Sequence, residues 1–312
     1  MKHLGLMLPE WQRCLGSETL AAGTLARWHA RSDHLAPAQA GMQAVAREIF
    51  EWPQAGFPVA ALSRQYDVGD AAGAAWLRAD PAHVRADMTT ARMLACGELG
   101  IADDERAELL QELAPLLADS GFLLDAPTPT RWYLRAAVDA DLPAGTDPDQ
   151  VMGDDLKLHL PAGVAGRPWR VLFNEVQMLL HAHPVNRARE ARGAATINSL
   201  WFWGGGSLPR PVLSRVQILR SDDAVLHGLA QLANLTVAGV DSAFSGEVLD
   251  GNFIDLHTQR GERLQTRLAA AEQALRSSAV DQLDLMFLSG ERLRLRRSHY
   301  WRFWRRVPPL SA

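Results

Sequence analysis

Residues 197–206 read INSLWFWGGG, an apolar run that ends in three consecutive glycines. The run from Ile197 to Trp203 is typical of a strand, and Gly204–Gly206 favour an exposed backbone at its end. Ligands of open α/β sheets bind beyond the carboxyl ends of the strands. The pattern therefore predicts either a binding loop or a tight structural turn, and it favours neither.

Segments of helix and strand alternate around this run. Trp169–Leu180 carries one helical apolar stripe, and a second stripe extends from Leu264 to Leu275. Leu4–Leu8 and Leu283–Leu288 are short apolar runs, which are typical of buried parallel strands. Ser221 is expected to cap the helix that follows it. This alternation predicts an α/β fold with a mostly parallel sheet and helices on both faces.

The region from Trp76 to about residue 164 has a different character. Short strand-like segments lie around a helix predicted over residues 103–118, which indicates a small α+β unit. The predicted organisation is therefore a discontinuous α/β core of residues 1–72 and 165–312, interrupted by an inserted α+β domain of residues 73–164.

Composition limits the classes of function. The chain has 312 residues, of which 47% are hydrophobic, and that is enough to bury a substantial core. A formal charge of −4 excludes nucleic-acid binding through a globally basic surface. Cys14 and Cys96 are too few for a disulfide framework or a four-cysteine zinc site. No apolar stretch reaches the roughly eighteen residues of a membrane helix, so the prediction is a cytoplasmic protein.

The densest polar cluster, HAHPVNRAREARG, occupies residues 181–193. Its guanidinium groups match carboxylate and phosphate oxygens, although a solvated basic turn explains the pattern equally well. His181 and His183 have no third ligand at a usual spacing, so no metal site is predicted, and no catalytic residue or cofactor is identified. With the glycine run, the cluster gives a predicted site for a small anion, formed by Asn186, Arg189, Arg192, Asn198, Trp203, Gly204, Gly205 and Gly206.

The segment from Glu291 to Arg306 interleaves arginines with aromatic residues. The favoured interpretation is an edge strand at Arg292–Arg296 with its leucines facing inward, followed by a short helix whose aromatic residues cover the core. The alternatives are a surface for a nucleic-acid or protein partner and, less favoured, a membrane surface. The predicted partner-binding residues are Arg294, Arg296, Arg297, Trp301, Arg302, Trp304 and Arg305.

Three strings of this sequence occur together in a known family. LRADPAHVRAD at 77–87, LLHAHPVNRAREARG at 179–193 and NSLWFWGGG at 198–206 resemble RpfE-type regulatory proteins, which are described as phosphoglycerate mutase-like. The chain also resembles, more distantly, archaeal-type cofactor-independent phosphoglycerate mutases of the alkaline phosphatase superfamily, and residues 245–253 are similar to a later loop of those enzymes. The resemblance implies an alkaline phosphatase-like core with a small inserted domain.

The chain departs from the mutases at the positions that carry their chemistry. That family holds two divalent metals through an Asp-Gly motif, a nucleophilic serine, an Asp-x-x-Gly-His motif and a final Asp-His pair. Residues 8–11 read LPEW and residues 285–291 read LMFLSGE, so the first and third motifs are missing. Because two-metal phosphoryl transfer needs several anionic or imidazole ligands, the resemblance implies a catalytically degenerate protein with a binding or regulatory role.

Two alternatives stay open. One is an active phosphomutase or phosphatase-type enzyme on small phosphoesters that uses other residues. The other is an accessory protein that binds nucleic acid or a protein partner through the segment 291–306. Metal content tests the first alternative, and salt-dependent binding to oligonucleotides tests the second.

Overall fold

The computed structural model describes residues 2–15, 20–86, 90–242, 250–302, 304 and 305. The chain divides into two units, the first formed by residues 1–53 and 210–312 and the second by residues 54–209. Among the described helices, none is both long and apolar enough to cross a membrane.

The strands and helices follow one another along the chain as β1 (His3–Leu8), α1 (Trp11–Leu15), α2 (Leu20–Arg31), β2 (Asp33–His34), α3 (Met42–Ile49), β3 (Phe50–Glu51), α4 (Val59–Asp67), β4 (Ala75–Ala86), β5 (Ala91–Cys96), α5 (Asp103–Asp119), β6 (Leu123–Asp125), β7 (Tyr133–Ala136), α6 (Pro148–Val151), α7 (Arg167–His181), α8 (Pro184–Ala191), β8 (Ser199–Gly206), β9 (Leu213–Ser214), β10 (Ile218–Arg220), α9 (Ala224–Leu232), β11 (Thr236–Ala238), β12 (Asn252–Asp255), α10 (Gly261–Arg276), β13 (Gln282–Phe287) and β14 (Arg292–Arg296).

The first unit is built on a seven-stranded sheet with the order β11-β10-β12-β1-β13-β14-β2. The five strands from β11 to β13 in this order are parallel to one another. β14 and β2 join the sheet in antiparallel orientation. The mostly parallel sheet predicted from the alternation of helices and strands is therefore confirmed.

One face of this sheet is apolar and lies under two helices. Leu4 and Leu6 of β1 lie beside Leu283 and Leu285 of β13, and all four side chains are buried. α2 and α10 pack over them, and Leu268 of α10 belongs to the same buried cluster. The apolar run of β1 thus follows from its position between two parallel strands, as predicted.

The second unit contains an antiparallel sheet. Its strands have the order β5-β4-β7-β6, and β8 pairs with β4 as the fifth strand. α5 and α7 supply Leu109, Leu113 and Val176 to one buried cluster that also contains Leu200 and Trp201 of β8. The helix predicted over residues 103–118 is confirmed by α5.

The boundary of the second unit differs from the predicted inserted domain of residues 73–164. α4, α7, α8 and β8 belong to this unit because β8 pairs along β4, from Ser199 opposite Ala82 to Gly206 opposite Trp76. The glycines therefore lie within an antiparallel strand. The interpretation of these glycines as exposed backbone at the end of a strand of an open α/β sheet is therefore wrong.

Candidate functional site at the carboxyl edge of the parallel sheet

Polar side chains gather where two parallel strands of the first unit end side by side. β10 and β12 are parallel neighbours. Ser221 follows β10 directly, Asp255 is the last residue of β12, and His257 lies two residues further on. We call Ser221, Asp223, Asp255 and His257 the edge cluster. Open α/β sheets bind ligands at this edge.

Asp255 holds the edge cluster together. Its side chain is only 4% exposed. Ser221 Oγ donates a hydrogen bond to Asp255 Oδ2 at 2.7 Å. His257 Nδ1 lies 2.6 Å from Oδ1, which also accepts a hydrogen bond from the His257 backbone N–H at 3.0 Å. Both carboxylate oxygens are therefore engaged by other groups of the protein.

Asp223 caps the helix that starts beside this carboxylate. Its Oδ1 accepts hydrogen bonds from the backbone N–H groups of Val225 and Leu226, both at 2.9 Å. Ser221 Oγ in turn accepts a hydrogen bond from the Asp223 N–H at 2.9 Å. The prediction that Ser221 caps this helix is wrong, because its hydroxyl lies between Asp223 and Asp255 and reaches no N–H of the first turn.

Burial and mutual attraction set the charges of the edge cluster. Burial alone would lower the pKa of His257, but the hydrogen bond and charge of Asp255, together with the charge of Asp223, raise that pKa above its usual value. Burial raises the pKa of Asp223, and the positive charge of His257 partly opposes this effect. The protonated imidazole of His257 is thus favoured beside two carboxyl groups.

His257 is expected to make the stability of the first unit depend on pH. Because its pKa is raised in the folded chain, its stabilising contribution is complete below the unfolded value of about 6.5 and is lost as pH rises through the folded pKa. Replacing His257 with glutamine should therefore cost more stability at about pH 6 than at about pH 9. Urea unfolding of both proteins at both pH values measures this difference. An equal cost at the two pH values contradicts the raised pKa.

The edge cluster does not fit a pair of divalent metals of the kind that the mutases hold. Such a pair needs several carboxylate or imidazole ligands with free lone pairs. Asp255 uses both oxygens within the protein. Among the residues that the structure describes, no three His, Cys, Asp or Glu side chains are placed to hold a metal ion.

The arginines of the predicted anion site are held inside the second unit. Arg189 is 1% exposed, with Nε 2.7 Å from the carbonyl oxygen of Ala195 and one terminal nitrogen 2.6 Å from Glu105. Arg192 binds the other carboxylate oxygen of Glu105. One carboxylate therefore holds both arginines at the end of α8. Anion binding by these arginines stays a prediction.

The two asparagines of that site fix the ends of a turn. Asn186 donates to the carbonyl oxygens of Leu180 and Ile197, both at 2.8 Å, and accepts from the Ile197 N–H at 2.7 Å. Asn198 accepts from the Val84 N–H at 2.8 Å and donates to the Val84 carbonyl oxygen at 2.7 Å. The side chains thus tie the chain before β8 to α7 and to β4.

Trp203 belongs to a buried polar group in the second unit. Its indole N–H donates to Asp80 at 2.7 Å, and Asp80 forms an ion pair with Arg78 at 2.8 Å. Arg78 and Asp80 are both less than 10% exposed. Burial raises the pKa of Asp80, against the opposing charge of Arg78.

The glycines of β8 are explained by close packing. A Cβ at Gly204 would lie 2.8 Å from the side chain of Val59, and one at Gly205 would lie 2.6 Å from the carbonyl oxygen of Pro143. Gly204 also has a φ of 67°, which disfavours other residues. These contacts support the structural alternative for the glycine run.

The C-terminal segment is a strand whose arginines contact other parts of the first unit. The prediction of a strand at Arg292–Arg296 is confirmed by β14, although β2 and not β14 is the edge strand. Trp301 and Trp304 are 76% and 67% exposed, so the prediction that the aromatic residues cover the core is wrong for them. Phe303 and Arg306 lie outside the described residues. The arginines of the predicted partner-binding set contact Asp284 (Arg294), Gln282 (Arg296), Ser278 (Arg297), Asp33 (Arg302) and the carbonyl oxygen of Ser32 (Arg305).

The edge cluster is the group that the sequence reasoning missed. Two local signals point to it: an Asp-x-His triplet at residues 255–257 and a Ser-Asp-Asp triplet at residues 221–223. Each triplet lies at the end of a buried strand, where polar residues are not needed for packing. Such placement is typical of ligand sites in α/β proteins.

The first unit therefore has an α/β fold, and its polar site lies at the carboxyl edge of the parallel sheet, as is usual for open α/β folds. The chain is distantly homologous to cofactor-independent phosphoglycerate mutases. It is 30% identical over 127 residues to the 2,3-bisphosphoglycerate-independent phosphoglycerate mutase of Methanosarcina barkeri, a match that covers 39% of this chain and 31% of that enzyme. For the Methanothrix thermoacetophila enzyme the identity is 28% over 109 residues, or 35% and 27% of the two chains. The matches thus span about a third of the relatives' length or less.

Two solved structures were found to be similar over most of the chain. The cofactor-independent phosphoglycerate mutase from Thermoplasma acidophilum has 15% identity and a TM-score of 0.42, with 95% of this chain and 90% of that chain covered. The PH0037 protein from Pyrococcus horikoshii has 12% identity and a TM-score of 0.45, with 94% and 86% covered. A comparison with protein-family models finds no match. The assignment to RpfE-type proteins stays a prediction. Asp87, which belongs to that resemblance, and residues 245–249, which belong to the resemblance to the mutases, lie outside the described residues.

Proposed function

We propose that this chain is a catalytically degenerate relative of the cofactor-independent phosphoglycerate mutases that works by binding, in a regulatory role. The observation that carries the proposal is that both carboxylate oxygens of Asp255 bind other groups of the protein. Its oxygens lie 2.7 Å from Ser221 Oγ and 2.6 Å from His257 Nδ1, so this buried acid orients groups of the protein itself. A metal ion would have to compete with an imidazole and a hydroxyl for these oxygens, which is unfavourable for a site that must clamp two metals.

The loops after β1 and β13 support the same proposal. Glu10 stands beside the position at which the resemblance expects an Asp-Gly motif, and it pairs with Arg13 at 3.1 Å. Ser289, in the segment that lacks the Asp-x-x-Gly-His motif, accepts a hydrogen bond from the Trp11 N–H at 2.7 Å and bonds Glu291. The hydrogen bond from Trp11 to Ser289 links the two loops, and the other contacts stay within each loop, which gives these groups a structural role.

The ligand class that we propose is a small phosphorylated or otherwise anionic molecule. The relatives are named for a reaction of phosphoglycerate, and a binding protein related to them is expected to keep that ligand chemistry. The predicted site at Asn186, Arg189 and Arg192 is one candidate for it. Glu105 already pairs with both arginines, so an anion that binds them would have to compete with that carboxylate. This requirement makes tight binding there unfavourable.

The proposal predicts that the purified protein has no phosphoglycerate mutase activity. Elemental analysis after dialysis should give substoichiometric zinc and manganese, and adding either metal should not produce activity, because the acids of the edge cluster are engaged. Asp255→Asn is the control, since a trace activity that survives in this variant comes from a contaminant. Two bound metal equivalents, together with activity that is lost in Asp255→Asn, would favour the active phosphomutase or phosphatase instead.

One observation favours a second candidate function, binding of a nucleic acid or protein partner. Trp301 is 76% exposed and lies between Arg297 and Arg302 in the sequence. An exposed indole beside guanidinium groups suits base stacking and phosphate contacts. Arg302 is paired with Asp33 at 2.7 Å, however, which weakens the basic character of the segment. The degenerate mutase relative therefore stays the leading proposal.

A further inference from the structure

The second face of the seven-stranded sheet is polar near β13 and β14. Leu293 and Leu295 of β14 belong to the cluster under α2 and α10. Because side chains alternate along a strand, Arg292 and Arg294 lie on the opposite face. Asp284 of β13 pairs with Arg294 in the register and lies on that face too. The sheet therefore has one face built for packing and one that carries charges.

A cleft of about 200 Å³ opens on this polar face, and every residue that lines it belongs to the first unit. Gly5 of β1 and Phe253 of β12 form part of its lining. A side chain at Gly5 would overlap the Phe253 ring, so the glycine is what lets this ring lie across β1. Ile49 and Val216 form an apolar part of the cleft wall. The volume is below the usual range of drug-sized ligand pockets, so it suits a small molecule.

The cleft has more positive than negative groups. Arg215, Arg292 and Arg294 line it, against the carboxylates of Glu48 and Asp284. Arg294 pairs with Asp284 through Nε at 2.7 Å, and Arg292 binds Glu48 through one terminal nitrogen at 2.9 Å. An excess of guanidinium over carboxylate groups in a concave site favours an anion.

Two of these arginines keep binding capacity. Arg292 Nε is buried and has no hydrogen-bond partner within the described chain. Leaving a charged donor buried without a partner is costly, and a shift of the side chain that let a ligand oxygen reach Nε would remove that cost. Arg215 is 52% exposed, and its ion pair with Glu51 is long, at 3.4 Å. A guanidinium held so weakly is available to a stronger anion.

We propose that this cleft binds a small organic anion through its carboxylate or phosphate group, with Arg292 and Arg215 as the binding residues and with the carbon skeleton against Ile49 and Val216. This site goes beyond the function proposed above. It lies on a face of the sheet, not at the carboxyl edge where the edge cluster lies, and it does not depend on whether the chain is catalytically degenerate.

Binding is tested on the full chain with inorganic phosphate and acetate as two separate probes, at constant ionic strength. Saturable shifts of the backbone amide signals of Gly5 and Phe253 are expected for at least one probe. The probe that binds more tightly shows whether the site prefers a phosphate or a carboxylate group. Arg292→Gln and Arg215→Gln should each weaken the binding of that probe by about tenfold, the effect of losing one charge-assisted hydrogen bond.

Arg276→Gln is the matched control. Arg276 is a 63% exposed arginine of α10, the helix that packs on the other face of the sheet, so its removal changes the net charge equally without touching the cleft. The Arg276→Gln variant should bind the same probe with the affinity of the wild type. The absence of saturable shifts with both probes, unchanged affinity in both Arg292→Gln and Arg215→Gln, or an equal loss in Arg276→Gln would overturn the proposal. Arg215 is half-exposed, so its variant tests binding even where Arg292→Gln unfolds.

Discussion

Replacing Arg189 with methionine is expected to lower the free energy of unfolding of the second unit by about 3–5 kcal/mol, the usual cost of removing one partner of a buried ion pair. Arg189 is 1% exposed and its partner Glu105 is 9% exposed. The variant leaves that carboxylate without its best partner. It also leaves the carbonyl oxygens of Ala195 and Leu99 without the donors that now reach them.

The electrostatics of Glu105 point in the same direction. Burial would raise the pKa of Glu105, but a backbone hydrogen bond from Ala102 and the charges of Arg192 and Arg189 outweigh it, so the pKa is lowered. The Glu105 carboxylate therefore depends on these neighbours to stay charged although it is buried. Urea unfolding followed by circular dichroism gives the change directly.

Arg187→Met is the matched control, because Arg187 is exposed on the same helix, α8. It should change the stability by no more than about 0.5 kcal/mol, as exposed substitutions usually do. If Arg189→Met stays within about 1 kcal/mol of the wild type and instead loses affinity for phosphate, the arginine is a ligand-binding residue and the structural role is wrong.

Elements with a strong local pattern were predictable from the sequence. The alternation Arg-Leu-Arg-Leu-Arg gave β14 with its observed bounds, since one face of that strand packs on the core and the other does not. The run Leu4–Leu8 gave β1, because a strand between two parallel neighbours is apolar on both faces. In both cases the pattern reflects which residues of the strand are buried, alternate ones in β14 and consecutive ones in β1, and a single segment contains that information.

The partner of a strand was not predictable in this way. The consecutive bulky side chains of β8 suit a parallel or an antiparallel neighbour, so nothing in INSLWFWGGG indicates that it pairs with β4 more than a hundred residues earlier. The glycines were ambiguous for a related reason. Their close neighbours Val59 and Pro143 come from distant parts of the chain. Both the domain boundary and the predicted anion site depended on this pairing.

The edge cluster escaped prediction because its parts are short and far apart. β12 has only four residues, Asn252–Asp255, and both of its ends are polar although all four are buried. A strand of this kind has no apolar alternation to reveal it. Ser221 and Asp255 are 34 positions apart, and only the parallel pairing of β10 with β12 brings them within 2.7 Å.

Removal of residues 292–312 is expected to abolish cooperative folding of the first unit. β14 pairs with β13 along five residues and carries β2 on its other side. Leu293 and Leu295 are 2% and 1% exposed, and burying each contributes roughly 1.5–3 kcal/mol. Together with the lost ion pair between Arg294 and Asp284, this is a large share of a typical total stability of about 5–15 kcal/mol.

A chain that ends at Arg305 is the control for this truncation, because it keeps β14 and both exposed tryptophans. Its thermal midpoint should equal that of the full chain, whereas the chain that ends at Glu291 should show no cooperative transition or a strongly lowered midpoint. Since Trp301 is 76% exposed, Trp301→Ala should leave the midpoint unchanged as well. A strand that is essential to the sheet cannot be removed without loss of stability, so an unchanged midpoint after the longer truncation would contradict this prediction. If salt-dependent oligonucleotide binding were lost at the same time, nucleic-acid binding would become the leading function.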